Sequence, residues 1–464
     1  MSEVVKGAPP AFGATTQVLV IGAGAGGLVA ALAAREAGAE VLVLERDSLP
    51  RGSTALSAGL VPAPGTRWQS TAGVADDAAR FAADIMAKAQ NEPDPALVGL
   101  LTQSIAPTLE WLADAYGLGF SLVDDFDYPG HSARRMHGLP SRSGEALIDA
   151  LRQAAEGAGV DILCDAHVTR LYADESGRIL GVAARRPDGG VETIGCDALI
   201  LACNGYGGSK ALVSEHIPAM AEALYFGHVG NQGDAILWGA ALGAARRHLS
   251  GHQGHGSVAH PAGILITWAT MTEGGVQVNA EGARFSDESH GYSEQAAAVL
   301  RQPGAVAWSI FDSRIAGVAR QFEDFKRAEA MGCVLVADDP ATLAARAGLP
   351  AQRFVETMAE VADLKARGAR DGFGRNFAGV RPLAPPYCAV RVTGALFHTQ
   401  GGLVVDGAAR VMRESGGVLP NLFAVGGAAC GVSGSEASGY LSGNGLLSAV
   451  GLGRIAGTAA GRAS

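Results

Sequence analysis

Apolar positions along the chain change period several times, and each change marks an element. Residues 18–21 (Val-Leu-Val-Ile) and 41–44 (Val-Leu-Val-Leu) are unbroken, β-branched-rich apolar runs, the pattern of strands buried on both faces. An alanine-rich stretch between them predicts a helix, so 17–46 reads as strand, helix, strand. Leu97, Leu100, Leu101, Ile105, Leu109 and Leu112 recur at helical spacing, and the segment predicts helices over 75–89 and 95–116. Alternation returns at 160–163, 168–172, 179–185 and 198–202, with turn residues at 174–177 and 187–190, which predicts strands. Charged helical patterns follow at 315–331, 340–347 and 352–367. A buried strand over 421–425 then enters a glycine turn, and a helix opens near Tyr440 and runs past Gly453. The order predicts an α/β fold in which a first domain (1–250 and 391–464) is interrupted by a second (251–390). Residues 1–17 read as a polar, loose leader.

The chain's 464 residues exceed one ordinary domain and can bury a large core. Net charge is −10 with no basic run, which argues against a nucleic-acid partner. The slightly positive mean hydropathy comes from alanine and glycine, and the longest apolar stretch is too short and glycine-broken to span a membrane. Cys164, Cys196, Cys203, Cys333, Cys388 and Cys430 are scattered, with no CxxC and no CxxCH. That excludes cysteine-bound clusters and attached haem and fits a reducing cytoplasm.

The strongest local signal is Gly22-Ala23-Gly24-Ala25-Gly26-Gly27 between the first strand and its helix. Gly22 permits the tight turn, Gly24 lets backbone approach a pyrophosphate, and Gly27 lets helix and strand pack closely, with Gly26 in the same cofactor-binding turn. First-turn N–H groups then face the phosphates. Glu45, about 20 residues on, suits a ribose hydroxyl and would repel a 2′-phosphate. The fingerprint does not separate FAD from NAD. Past the second strand, however, the small and hydroxylated residues Ser53, Thr54, Ser57 and Gly59 suit a loop beside a diphosphate and ribityl chain. Asn204-Gly205 forms a second glycine turn, Gly426-Gly427 a third, and Asn444-Gly445-Leu446-Leu447 opens the last helix. A cofactor met by both ends of the chain is long, and that points to FAD. Arg46 and Val168 complete the expected cofactor-binding set.

With Asn231-Gln232-Gly233-Asp234, Asn279 to Phe285 followed by Asp287-Glu288, and His398-Thr399-Gln400-Gly401-Gly402, these motifs stand in one order over nearly the whole length. The chain resembles the flavoprotein family of succinate dehydrogenase, soluble fumarate reductase and the 3-ketosteroid dehydrogenases. The resemblance implies a Rossmann-type FAD-binding domain interrupted by an α+β capping domain that closes the substrate site. Members with covalent flavin carry a histidine in the loop after the second strand; here that loop has Ser53, Thr54 and Ser57, which implies non-covalent FAD.

The resemblance also locates a departure. The family's proton-donor arginine falls four residues after Glu288, at Tyr292. Its carboxylate-gripping arginine falls four residues before Asn444, at Tyr440. Losing two guanidiniums removes two bidentate carboxylate partners. A phenol instead polarises a ketone or, ionised, removes a proton, as in the ketosteroid branch. By that likeness Tyr292 takes the α-proton of a ketone while a β-hydride leaves for flavin N5. Tyr440, Ser442 and Gly443 are expected to polarise the oxygen, the last two through backbone N–H groups. His398, a third catalytic candidate, and Thr399 match residues touching one end of the substrate, and Thr272 with Glu273 matches a further substrate-side pair. His260 is spaced to match the other substrate histidine, with His252 and His255 as alternatives. Trp111 is a candidate pocket wall, weighed against core packing, and Arg134 and Arg135 are weighed as carboxylate partners against solvated surface residues. The crowd His248, His252, His255 and His260 lacks the rigid register of a zinc site, so no metal is expected. The favoured reading is an FAD-dependent α,β-desaturase of a cyclic ketone such as a cyclohexanone, an oxo-cyclohexanecarboxylate or a ketosteroid. Its partners would be the small-molecule ketone and an external electron acceptor. Two alternatives stay open: a fumarate-reductase-like reductase of an unsaturated carboxylate, and a non-catalytic electron-transfer flavoprotein subunit.

Overall fold

The structure is a computed structural model, described here over residues 3–124 and 128–463. The chain divides into two compact units. The first takes Met1–Ile217, Gly227–His252 and His398–Ser464; the second takes Pro218–Phe226 and Gln253–Phe397. Residues 218–226, expected with the first domain, group with the second unit because Leu224–Tyr225 adds to its sheet beside Ala395 and Leu396.

A nine-stranded sheet organises the first unit. Ala14–Ile21 lies between Val41–Leu44 and Val191–Leu201, parallel to both, with Val18 opposite Val41 and Ala198. Val18, Leu19 and Val20 are fully buried, which explains the unbroken apolar run. Val418–Ala424 pairs parallel to Val191–Leu201, so the end of the chain re-enters beside its beginning. His167–Ala173, Ile179–Arg185 and Val191–Leu201 form an antiparallel meander. The supposed loose leader is a strand: Glu3–Lys6 pairs parallel to His167–Ala173 at the sheet edge. Four residues with half-solvated side chains give no periodicity to read; the backbone ladder holds them, with Val4 against the core and Glu3 paired to Arg170.

Two helices seat the site. Ala25–Glu36 follows the glycine turn, and Asn444–Ala463 packs along it. Glycines at four-residue spacing make that contact possible: a Cβ on Gly453 would stand 2.7 Å from the Gly26 carbonyl, and one on Gly457 would overlap the Ala30 carbonyl. Pro95–Tyr116 is one continuous helix with Pro107 inside it, Asp94 capping its start and Gly117 (φ +73°) its end.

The second unit centres on the strand Tyr387–Thr399, paired antiparallel to Val306–Asp312 and to Val334–Ala337. His252–Ala259 flanks it in a seven-stranded sheet. Helices Tyr292–Leu300, Pro340–Ala347 and Ala351–Arg367 pack around this sheet's core. The single helix expected over 315–331 is two, Ser313–Ala319 and Glu323–Ala330. Phe322 is extended between them (φ −102°, ψ 128°). That turn re-aims the second helix so that Phe325 and Ala328 bury in the same cluster as Ile315 and Ala316.

Candidate functional site

In the first unit, the glycine turn is fixed by sterics and by one carboxylate. A Cβ on Gly27 would overlap the Gly22 carbonyl, and one on Gly22 (φ +103°) would stand 2.6 Å from the Ala202 carbonyl. Glu45, 6% exposed, accepts the Ala23 N–H (2.9 Å) on one oxygen and the Asp47 N–H (3.1 Å) on the other. Its first task is to tie the turn to the second strand, and burial raises its pKa. Thr54 Oγ accepts the Ala25 N–H (3.1 Å) at the start of the helix, beside the bare Cα of Gly24. Ser53 Oγ accepts from Asn231 Nδ2 (2.9 Å) and from the His228 N–H, which binds the loop to the Asn231–Asp234 motif. Ser57 Oγ donates to the Thr54 carbonyl and accepts the Gly59 N–H, and Arg46 donates to the Gly230 carbonyl (2.7 Å). Asn204, in the left-handed region at φ +64°, accepts the Gly205 N–H and abuts Gly427. Val168 sits at a register irregularity in its strand.

These residues fit an FAD. The loop hydroxyls and the bare helix start suit phosphates. On the terminal helix, Asn444 Oδ1 and Ser448 Oγ are buried without a hydrogen bond from the protein. Two such atoms on one helix turn match a ligand edge that carries both N–H and C=O groups.

Around Asn444 several chemistry-bearing residues of the first unit meet. Tyr440 is 7% exposed, with the backbone N–H groups of Gly443 and Gly445 on the side of its phenol oxygen. Burial nevertheless pushes its pKa above the usual tyrosine value, so it is a neutral O–H donor whose oxygen is polarised from behind. His131 Nε2 holds the Ser442 carbonyl at 2.9 Å, and Arg135 steadies His131 from its other side. Arg135 itself is fully buried against Asp76 and Asp84, neither a substrate partner nor a solvated surface group.

His398 lies edge to face with Tyr440 (5.5 Å between centroids) and packs on Gly445, where a Cβ would stand 3.0 Å from Nε2. Burial pulls its pKa down to about 4. Thr399 does not join it. Successive strand residues point to opposite faces, and Thr399 Oγ is buried against Gly205 and accepts the Tyr206 N–H.

In the second unit, Tyr292 opens the helix Tyr292–Leu300 behind Gly291. It stacks on His255 (4.9 Å, 21°), which stacks in turn on Phe397 (5.2 Å, 22°) and Phe397 on Phe226 (4.7 Å, 15°). Trp268 meets His255 edge-on. His255 accepts the Ser257 N–H on Nδ1, and burial alone drives its pKa down to about 3. It is therefore His255, not His260, that accompanies Tyr292. His260 lies exposed in the turn after the strand His252–Ala259. Thr272 is exposed at the end of the short helix Ala269–Thr272, with its hydroxyl on its own helix carbonyls, and Glu273 pairs with Arg314. The nearby guanidiniums are engaged: Arg284 by Glu288 and Asp371, and Arg375 by Glu288.

Trp111 is no pocket wall. Its indole donates to Glu36 (2.9 Å) and carries the Arg454 guanidinium 3.4 Å above its ring. Arg454 lies ten residues along the helix from Asn444, about 15 Å away at 1.5 Å per residue. The histidine crowd also disperses: His248 pairs with Glu92, and His252 Nδ1 lies 2.8 Å from the Ser250 carbonyl. Among the described residues no three ligating side chains converge as a metal requires, and no helix is long and apolar enough to cross a membrane.

Sequence reasoning missed Gln400, Ser433, His131 and His228. Only Gln400 left a signal, standing two residues beyond His398 and thus on the same strand face.

Comparison with known proteins agrees with this geometry. A family model described as an FAD binding domain matches residues 17–446. A probable fumarate reductase of Shewanella frigidimarina is 32% identical over 447 residues, covering 96% of this chain and 74% of that protein. The 4-oxocyclohexanecarboxylate 2-dehydrogenase of Sinomonas cyclohexanicum is 26% identical, covering 89% of this chain and 88% of that protein. Among solved structures, the open conformation of a flavocytochrome c3 fumarate reductase superposes with a TM-score of 0.84 at 30% identity, over 98% of this chain and 79% of that one. The chain belongs to this FAD-binding flavoprotein family and is an FAD-dependent oxidoreductase.

Proposed function

We propose that the protein desaturates a ring ketone, removing hydrogen from the carbons α and β to the carbonyl. A cyclohexanone or an oxo-cyclohexanecarboxylate is the substrate class. The carrying observation is Tyr440: a buried, neutral phenol at the start of the terminal helix, edge to face with His398, at the position that the family resemblance assigns to a carboxylate-gripping arginine. Such a group donates to a carbonyl and to the enolate that develops from it, and it offers a carboxylate no charge. His398 and His255 are both held neutral by burial, which supports the same choice. The 4-oxocyclohexanecarboxylate dehydrogenase relative adds weight to a six-membered ring ketone.

In this reading Tyr440 binds and polarises the carbonyl oxygen, and His398 adds a second donor. The Tyr292 oxygen, as phenolate, takes the α-proton and becomes the neutral phenol, and its ring is held by the His255 stack. FAD, when bound, supplies the two-electron acceptor for the hydride that leaves the β carbon. Reoxidation falls to an external acceptor.

Reduction of an unsaturated carboxylate is the second reading, favoured by the identity to the probable fumarate reductase. A flavin-bleaching screen separates the two. The desaturase reading expects cyclohexanone or 4-oxocyclohexanecarboxylate to bleach the oxidised flavin and to turn over with a dye acceptor. Turnover of fumarate with reduced dye, and none of the ketones, would reverse the assignment. Bleaching by neither class would favour an electron-transfer subunit.

A further inference from the structure

A chain of buried side-chain hydrogen bonds runs from the terminal helix to His398. Asn444 Nδ2 donates to Ser433 Oγ (2.9 Å), Ser433 Oγ donates to Gln400 Oε1 (2.7 Å), and Gln400 Nε2 lies 2.6 Å from His398 Nδ1. Gln400, Ser433 and Asn444 are 5%, 1% and 0% exposed, so water does not substitute for any of these bonds.

The polarity of the chain follows from counting protons. A serine hydroxyl has one, and because Asn444 donates to Ser433, the Ser433 proton goes to Gln400 Oε1. That turns the Gln400 amide nitrogen, a donor only, towards His398. Nδ1 must then present its lone pair, and a neutral imidazole carries its one proton on Nε2. The competing partner for Nδ1 is the Thr399 carbonyl, at 3.4 Å, which would demand the opposite tautomer. At 2.6 Å the Gln400 amide outcompetes it.

We propose that Gln400 is a positioning residue that locks His398 as the Nε2–H tautomer, so that the imidazole acts at Nε2 only as a hydrogen-bond donor. This deepens the reading above and rests on His398 facing the substrate oxygen. A donor at Nε2 stabilises a developing enolate, whereas a lone pair there would oppose it. Nε2 also lies against Gly445 at the start of the terminal helix, where the positive end of the helix dipole disfavours a protonated, cationic ring. The ring is thereby kept a neutral donor.

The test reads the tautomer directly and needs no substrate. In the FAD-loaded protein with 15N-labelled histidine, the His398 ring signals are identified by their loss in His398→Asn. The parent is expected to carry the proton on Nε2. Gln400→Glu replaces the donor by an acceptor, so the proton should move to Nδ1 and the ring should titrate at higher pH. Gln400→Met removes the donor at nearly the same length and should release Nδ1–H to the Thr399 carbonyl. A parent protonated on Nδ1, or variants that keep Nε2–H, would overturn the proposal. Kinetics form a separate arm: with the flavin content unchanged, Gln400→Glu should lower the rate of flavin reduction by a cyclic ketone ~10–100-fold, the scale on which a metal-bound histidine suffers when its orienting partner is lost. The expected tautomer with no ketone reduction in the parent would leave the Gln400 role standing and remove the ketone reading instead.

Discussion

The two units present their reactive tyrosines by different physical means. In the first, Tyr440 sits at the start of a helix with backbone N–H groups on the side of its oxygen, and His398 beside it is fixed by hydrogen bonds through Gln400, Ser433 and Asn444. In the second, Tyr292 is held by ring faces: His255, Phe397 and Phe226 stacked in series with Trp268 on the edge. Hydrogen bonds at a helix start fix direction and polarise the group they hold, which suits a donor. Stacked rings fix the position and plane of the ring they hold. The lesson is that the two tyrosines are not interchangeable, although each stands where the family resemblance puts an arginine.

Perturbing the frame of the first unit should have the largest effect. Gly27→Val would drive a side chain into the Gly22 carbonyl, and the purified protein is expected to retain no FAD, read by its absorbance. Normal flavin content would show that the turn does not seat the cofactor. Next, Tyr440→Phe deletes the polarised donor but keeps the ring. Flavin reduction by a cyclic ketone should fall ~10²–10³-fold with weaker ketone binding, as when one oxyanion donor is lost; a change in neither would remove Tyr440 from the carbonyl.

Acid compares the units in a gentler way. His137 in the first and His255 in the second are buried with pKa values pulled from 6.5 down to about 4 and about 3. Between those values and 6.5 the unfolded chain binds protons that the folded chain does not. The stability from keeping each ring neutral is therefore complete above pH 6.5 and is lost as pH falls towards the folded value. At pH 5 each contributes a loss of ~2 kcal/mol, so urea midpoints should drop clearly from pH 7.5 to pH 5. Equal midpoints at the two values would show that these rings are hydrated. The smallest effect belongs to Trp111→Phe, which should leave ketone-driven flavin reduction within about twofold, because the indole contacts Glu36 and Arg454. A tenfold fall would return Trp111 to the substrate.

The first unit was far more legible from sequence than the second. Gly22 and Gly27 are dictated by backbone collisions that only one residue type avoids, so their spacing survives as a motif, and the terminal helix with Tyr440, Gly443 and Gly445 is equally local. The strand Glu3–Lys6 was invisible because an edge ladder uses backbone groups and leaves no side-chain period. Thr399 was misplaced through adjacency in a motif, since neighbours on a strand face opposite ways. His260 was preferred to His255 on spacing alone. What brings His255 to Tyr292 is a ring stack between segments thirty-seven positions apart, with no period to betray it.

Tyr292→Phe tests the central claim most directly. It keeps the ring and its stack on His255 and removes only the oxygen that takes the proton. In the FAD-loaded protein, stopped-flow reduction of the flavin by a cyclic ketone should slow ~10²–10⁴-fold, the usual worth of general-base catalysis, while FAD content and ketone affinity stay close to the parent's. Reduction within about twofold of the parent rate would place proton abstraction elsewhere and contradict the division of labour between Tyr292 and Tyr440.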